Sequence, residues 1–202
     1  MIDTIIFDFG DVFINLEKER CEKAFLKLGL PKFNDAIMFQ NDLYEKGLID
    51  ETTFLSAFQK YIPNASLKDI KHAWNKVLCD FPQHRLDFLQ LLSTKYRLFL
   101  LTNTDKTHMA HFERKVGASF YTAFYRCFEK VCYSYELKQR KPDSELFTKM
   151  IDQYHLSPKK TLFIDDKKEN TDSAQAVGMH VWNLQVGHHE VTDLLTNNIL
   201  NK

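Results

Sequence analysis

Apolar residues fall into two textures that alternate along this chain. Short continuous runs, rich in β-branched and aromatic residues, end abruptly at polar positions. Ile2 to Phe7 stops at Asp8-Phe9-Gly10-Asp11, Arg97 to Leu101 at Thr102-Asn103, and Thr161 to Ile164 at Asp165-Asp166. Runs that are apolar on consecutive positions predict strands buried on both faces of a parallel sheet. Lys130 to Tyr133 and Met179 to Trp182 predict two shorter strands. Between these runs the apolar spacing widens to that of a helix. Cys21, Ala24, Phe25 and Leu28 form a stripe closed by Gly29, and Ala36, Phe39 and Leu43 form another that ends near Gly47. Asp50 predicts an N-cap for a helix burying Phe54, Leu55, Phe58 and Tyr61. Ser66 with Asp69 predicts a capping box ahead of Leu67, Ile70, Trp74 and Val77. Later helices carry Leu86, Leu89 and Leu92, run to about Lys115, follow Pro142 with Leu146, Phe147, Met150, Ile151 and Tyr154, and end at Gly178.

The βα alternation implies an α/β fold with a doubly wound parallel sheet, interrupted after its first strand by an all-helical block. Residues 1–14 and 84–202 are expected to form the core, and residues 15–83 the inserted helical module.

Composition narrows the function. The chain has 202 residues, with 27 Lys+Arg against 27 Asp+Glu. This charge balance speaks against general binding to nucleic acid or to an anionic membrane surface, both of which want a basic excess. No apolar run is long enough for a membrane span, and the N-terminus lacks the basic start of a secretory signal. Cys21, Cys79, Cys127 and Cys132 are scattered without a CxxC pair, so the expected setting is reducing and cytoplasmic, with neither disulfide framework nor zinc site. A monomer is the expected state.

Ligands of open α/β sheets bind beyond the carboxyl ends of the strands. The runs above deliver Asp8 and Asp11, Thr102 and Asn103, and Asp165 and Asp166 to that rim, with Lys141 nearby beside Pro142. Taken singly, each is an ordinary turn or cap residue. Together they crowd carboxylates that repel one another unless a cation is present, and oxygen donors without His or Cys suit Mg²⁺. Such a site suits phosphate esters. One carboxylate can attack phosphorus while Lys141, Thr102 and Asn103 hold the phosphoryl oxygens.

These residues resemble the haloacid dehalogenase (HAD) superfamily, in its subfamily with a helical C1 cap. Asp8-Phe9-Gly10 after its apolar run resembles motif I, Leu100-Leu101-Thr102-Asn103 motif II, Lys141-Pro142-Asp143 motif III, and Phe163-Ile164-Asp165-Asp166 with Asn170 motif IV. The Asp-x-Gly start is similar to bacterial phosphatases of the α-D-glucose-1-phosphate phosphatase type. The resemblance implies Asp8 as nucleophile and Mg²⁺ ligand, Gly10 as a backbone-carbonyl ligand, and Asp165 and Asp166 completing the metal site. It implies Thr102 and Asn103 as phosphoryl binders, Lys141 as the neutralising cation, and Asn170 in support. The activity implied is a Mg²⁺-dependent phosphomonoesterase that forms an aspartyl phosphate and acts on a small phosphorylated metabolite, a sugar phosphate above others.

One departure matters. Phosphatases of the superfamily typically carry a second Asp two residues after the nucleophile as general acid/base, worth about 10²–10⁴-fold in rate. Here that position is Gly10. Asp11 is the neighbouring candidate for the role. Two alternatives are a metal-free haloacid dehalogenase, opposed by the Asp165-Asp166 pair, and a HAD scaffold kept for binding or regulation, motivated by Gly10 and opposed by Asp8 and Lys141. Phe39, Tyr44 and Glu45 are the helical-block candidates to touch substrate, and the sequence does not choose among them. Lys138, Arg140 and the His188-His189 pair are expected to be solvated.

Overall fold

The computed structural model describes residues 1–201. After β1 (Thr4–Phe7) come α1 (Lys18–Lys27), α2 (Asp35–Glu45), α3 (Glu51–Gln59) and α4 (Leu67–Trp74), with no strand among them. The chain continues through α5 (Gln83–Ser93), β2 (Arg97–Thr102), α6 (Lys106–Val116), α7 (Ala118–Tyr125), β3 (Lys130–Tyr133), α8 (Ser134–Leu137), α9 (Ser144–Tyr154), β4 (Thr161–Asp165), α10 (Lys168–Ala176) and β5 (His180–Asn183). The five strands form one parallel sheet in the order β3-β2-β1-β4-β5.

The continuous apolar runs are explained by burial on both faces. Ile5 and Phe7 of β1, Leu98 and Leu100 of β2, and Leu162 and Ile164 of β4 join one apolar cluster. Ile6, Phe99, Leu101 and Phe163 join another, with Leu146, Phe147 and Met150 of α9. Period-two alternation is present in the backbone, but both sets are covered, so no polar face is needed. Helix α7 has no counterpart in the apolar stripes. Its sequence, ASFYTAFY, carries Phe120, Tyr121, Phe124 and Tyr125 along one face but buries only Phe124 fully.

Helices α1 to α4 surround an apolar cluster of their own, with Phe25, Phe54, Phe58 and Trp74 at its centre, whereas α5 packs on the sheet-side cluster. Phe25 stacks on Phe58 with ring centroids 4.7 Å apart, and Phe54 meets Trp74 edge-on at 5.0 Å. The caps follow the sequence: Asp50 accepts a hydrogen bond from Thr53 N (2.7 Å), and Ser66 and Asp69 close a reciprocal capping box. The buried face of α2 departs from it. Ile37, Asn41 and Tyr44 point inward, and Phe39 is 59% exposed. Tyr44 sets this phase, because its ring stacks on Phe54 at 4.5 Å and its hydroxyl meets Thr107 Oγ1 at 2.6 Å. Tyr61 is likewise exposed, and Ile62, beyond the end of α3, fills the core instead.

The two connections into this block run side by side. Asn15 N donates to Asp80 O, Cys79 N to Asn15 O, and Glu17 N to Val77 O, each at 2.9 Å. Among the described residues, no helix is long and apolar enough to cross a membrane. Because Phe58 is fully buried and Phe39 exposed, Phe58→Ala should cost about 3–5 kcal/mol. Phe39→Ala should stay within about 0.5 kcal/mol, with urea unfolding as the measurement.

Candidate active site

The sheet order makes the site. The chain winds outward from β1 through β2 to β3, then returns to lay β4 on the other side of β1. That reversal opens a crevice beyond the carboxyl ends of β1 and β4. Register does the rest. Phe7 pairs with Ile164, so the next residues, Asp8 and Asp165, emerge side by side, and Asp8 N donates to Ile164 O at 2.9 Å.

Lys141 enters from the loop before α9. Its ammonium donates to Asp8 Oδ1 at 2.7 Å and to Asp165 Oδ2 at 2.6 Å, and the residue is 2% exposed. Asn103, at the end of β2, fixes that loop from both sides. Its Oδ1 accepts from Lys141 N and its Nδ2 donates to Lys141 O, both at 2.9 Å. On α10, Asn170 Nδ2 donates to both oxygens of Asp165, at 2.9 and 3.0 Å, and Lys167 N donates to Oδ1 at 2.8 Å. Asp165 is therefore saturated with donors. Asp166 is half-buried and its carboxylate makes no hydrogen bond among the described residues.

Ligand oxygens of Asp8, Asp165 and Asp166 lie within 4.8 Å of one another. Three carboxylates against one ammonium leave an uncompensated negative charge, and an all-oxygen donor set of this kind fits a hard divalent cation. The electrostatics carry the same message. Burial, reinforced by Asp165, pushes the Asp8 carboxyl up to about 7 against the pull of Lys141. Burial and the neighbouring Asp165 also raise Asp166. Burial works against the charge on Lys141, but Asp165 and Asp8 outweigh it and hold the ammonium above its ordinary value.

A cavity of about 590 Å³ opens between this rim and the helical block. Gly10, Thr102, Asn103 and Lys167 line it on the sheet side, and Glu45 and Trp74 on the other. Gly10 sits in the turn after β1, bridged to Ile14.

Two expectations need correction. Asp11 is not among the clustered carboxylates. It adopts a left-handed turn conformation (φ 56°), its Oδ1 accepts from Leu16 N at 2.9 Å, and it lines a separate cleft with Arg85 and Glu190. Its carboxylate is used to close the turn after β1. Arg140 is only partly solvated: it donates to Asp42 Oδ1 at 3.0 Å and lies 2.9 Å from Glu45 Oε2, both on α2. Lys138 also reaches the block, donating to Gly47 O. The signal for Arg140 was an acidic pair, Asp42 and Glu45, three apart on one helix face. His188 and His189 are exposed in a loop, as expected. Two further polar contacts cross to the helical block and are absent from the motifs. Trp74 Nε1 donates to buried Asp105 at 3.0 Å while its ring stacks on His108, and Thr107 Oγ1 donates to Glu51 at 2.6 Å.

Residues 5–184 match the family model described as haloacid dehalogenase-like hydrolase, and the chain belongs to that family. A D-ribitol-5-phosphate phosphatase of Bacteroides thetaiotaomicron is 28% identical over 209 residues, covering 98% of this chain and all of that protein. A crystal structure of a HAD family enzyme from the same species superposes with a TM-score of 0.86 at 32% identity, covering 97% of this chain and 98% of the other. A structure of that enzyme in complex with magnesium and inorganic phosphate gives a TM-score of 0.83 at 34% identity, covering 94% and 97% of the two chains.

Removing the ammonium while keeping its bulk isolates the central interaction. Lys141→Met should destabilise the fold by about 3–5 kcal/mol at neutral pH, because two buried carboxylates lose their counter-charge. Without it Asp8, whose carboxyl burial already raises, holds its proton in the folded chain to still higher pH than in the unfolded one. The deficit is then largest at about pH 8 and shrinks on acidification, as urea midpoints at two pH values would report.

Proposed function

We propose that this protein is a divalent-cation-dependent phosphomonoesterase of small phosphorylated metabolites, with Asp8 as nucleophile. The observation that carries the reading is the Asp8–Lys141–Asp165 arrangement beside Asp166, with charge contacts of 2.7 and 2.6 Å at the switch point of the sheet. A polyol or sugar phosphate is the proposed substrate class. It is supported by the likeness to the D-ribitol-5-phosphate phosphatase over nearly the whole chain.

In this reading residues 15–83 are a cap that closes over the rim, shields it from water and selects the substrate. Asp8, Asp166 and the carbonyl of Gly10 would hold the cation, with Asp165 beside them, and Mg²⁺ there would neutralise charge on the phosphoryl oxygens. Lys141 orients Asp8 and pulls its carboxyl toward the ionised form needed for attack. An oxygen of Asp8 bonds to phosphorus as the ester P–O bond breaks, and the leaving oxygen takes a proton. Water then attacks phosphorus, the bond to Asp8 breaks, and phosphate leaves. Thr102 lines the phosphoryl side of the cavity. Asn103 acts by holding Lys141, since both ends of its amide are engaged by that residue's backbone. Asn170 holds Asp165 in the same way.

The test is hydrolysis of an aryl phosphate and of a panel of sugar and polyol phosphates. Wild type with Mg²⁺ should release phosphate, and both EDTA and Asp8→Asn should reduce the rate to background. Equal rates for wild type and Asp8→Asn would refute the reading. Cation binding must also displace the proton that burial keeps on Asp8 near pH 7. Apparent Mg²⁺ affinity should therefore weaken by up to about tenfold per pH unit below that value and level off above it, as titration calorimetry would measure.

A further inference from the structure

Resting on the phosphomonoesterase reading, one step still lacks a residue: the leaving alkoxide needs a proton, and the position two residues after Asp8 is glycine. At Gly10 itself a longer side chain would have to displace Leu16. A β-carbon at Gly10 would lie 2.8 Å from Leu16 Cδ1, so Leu16 fills the space a longer side chain would need. Asp11 is spent on Leu16 N and faces the other cleft. Two carboxylates line the same cavity as Gly10, Thr102 and Asn103: Glu22, exposed on α1, and Glu45, half-buried at the last turn of α2, which is the one held in place by neighbouring polar groups.

Glu45 is also under-used by the fold. Its side chain is 16% exposed, and Oε2 lies 2.9 Å from Arg140 Nη2 without completing a hydrogen bond. Two neighbouring polar atoms, Asn41 Oδ1 and Arg140 Nε, are buried and unpartnered as well. Asn41 donates weakly to the other Glu45 oxygen, at 3.4 Å. Buried polar atoms without partners are rare in folded proteins, and of these three residues Glu45 is the one that lines the cavity. Groups facing Glu45 from packed elements are Arg140, Asp105 and Lys167. Burial raises its carboxyl first, Arg140 and Lys167 pull it down, and Asp105 raises it again.

We infer that Glu45 is the general acid/base of the reaction, supplied from α2 across the cavity in place of the side chain absent at Gly10. Protonated Glu45 gives its proton to the ester oxygen as the P–O bond breaks and the electron pair passes to that oxygen, so the alcohol leaves neutral. The resulting carboxylate takes a proton from water as the water oxygen bonds to phosphorus and the Asp8–phosphorus bond breaks. Glu45 is then protonated again, Asp8 is a free carboxylate, and one water has become part of the released phosphate. Because the acid comes from the helical block, protonation requires that block to be seated on the core.

The test is the dependence on leaving group. The wild type, Glu45→Gln and Glu45→Asp are compared on 4-nitrophenyl phosphate, whose leaving group departs without a proton, and on an alkyl or polyol phosphate, whose leaving group needs one. For Glu45→Gln, kcat/KM on the alkyl ester should fall about 10²–10⁴-fold, while the loss on the aryl ester stays below about tenfold. Glu45→Asp should recover part of the alkyl-ester rate. A rise in the amount of phosphorylated Asp8 at steady state would show the second half-reaction slowed as well. Equal losses on both esters, or no loss on the alkyl ester, would overturn the assignment and leave Glu45 as a residue that positions Arg140. Wild type inactive on both esters would remove the phosphomonoesterase reading, and this assignment with it.

Discussion

Lys141 places its ammonium in a position from which water is excluded, between the carboxylates of Asp8 and Asp165. Taking three charges out of water is costly, and the contacts between them repay that only when geometry and remaining hydrogen bonds are good. The surrounding structure meets that condition. Asn103 holds the Lys141 backbone at both its N–H and C=O, Asn170 and Lys167 N complete Asp165, and the β1–β4 register sets the two carboxylates side by side. Four segments remote in sequence thus meet at one ammonium. Asp166 adds a further carboxylate with no ammonium of its own, which gives the centre a donor set that could hold a cation beside the ion-pair cluster.

The helical block is tied to this centre by polar contacts as well as by apolar packing. Arg140 is adjacent in sequence to Lys141 and grips Asp42 and Glu45 of α2, while Tyr44, Trp74 and Glu51 reach Thr107 and Asp105 at the start of α6. Arg140 and Lys141 thus join α2 to the ion-pair centre through adjacent residues. In the proposed mechanism this coupling links closure of the block to completion of the proton-transfer machinery, a gating role common to lids over phosphoryl-transfer sites.

Much of this was legible in the amino-acid order, for physical reasons. A strand buried on both faces must be apolar on consecutive positions, and it must become polar where it leaves the sheet. The ends of β1, β2 and β4 therefore announced Asp8, Thr102-Asn103 and Asp165-Asp166 directly. Helix starts were legible at Asp50 and Ser66 because capping chemistry is local. Contacts set by tertiary geometry were not. The inward face of α2 is decided by what Tyr44 can reach on Thr107 and Phe54, which periodicity does not encode. Arg140 read as a solvated base because its partners lie far back in the chain. Asp11 read as an acid/base candidate because its left-handed turn and its bond to Leu16 N depend on how the chain folds back after β1.

The account stands on Asp8 as the atom that bonds to phosphorus. The most direct measurement is mass spectrometry of peptides from protein quenched in acid during turnover of a phosphate ester with Mg²⁺. The account predicts a phosphoryl group on the peptide containing Asp8, absent from Asp8→Asn. Turnover at full rate with no phosphoryl group on that peptide, or with the group on another residue, would contradict it.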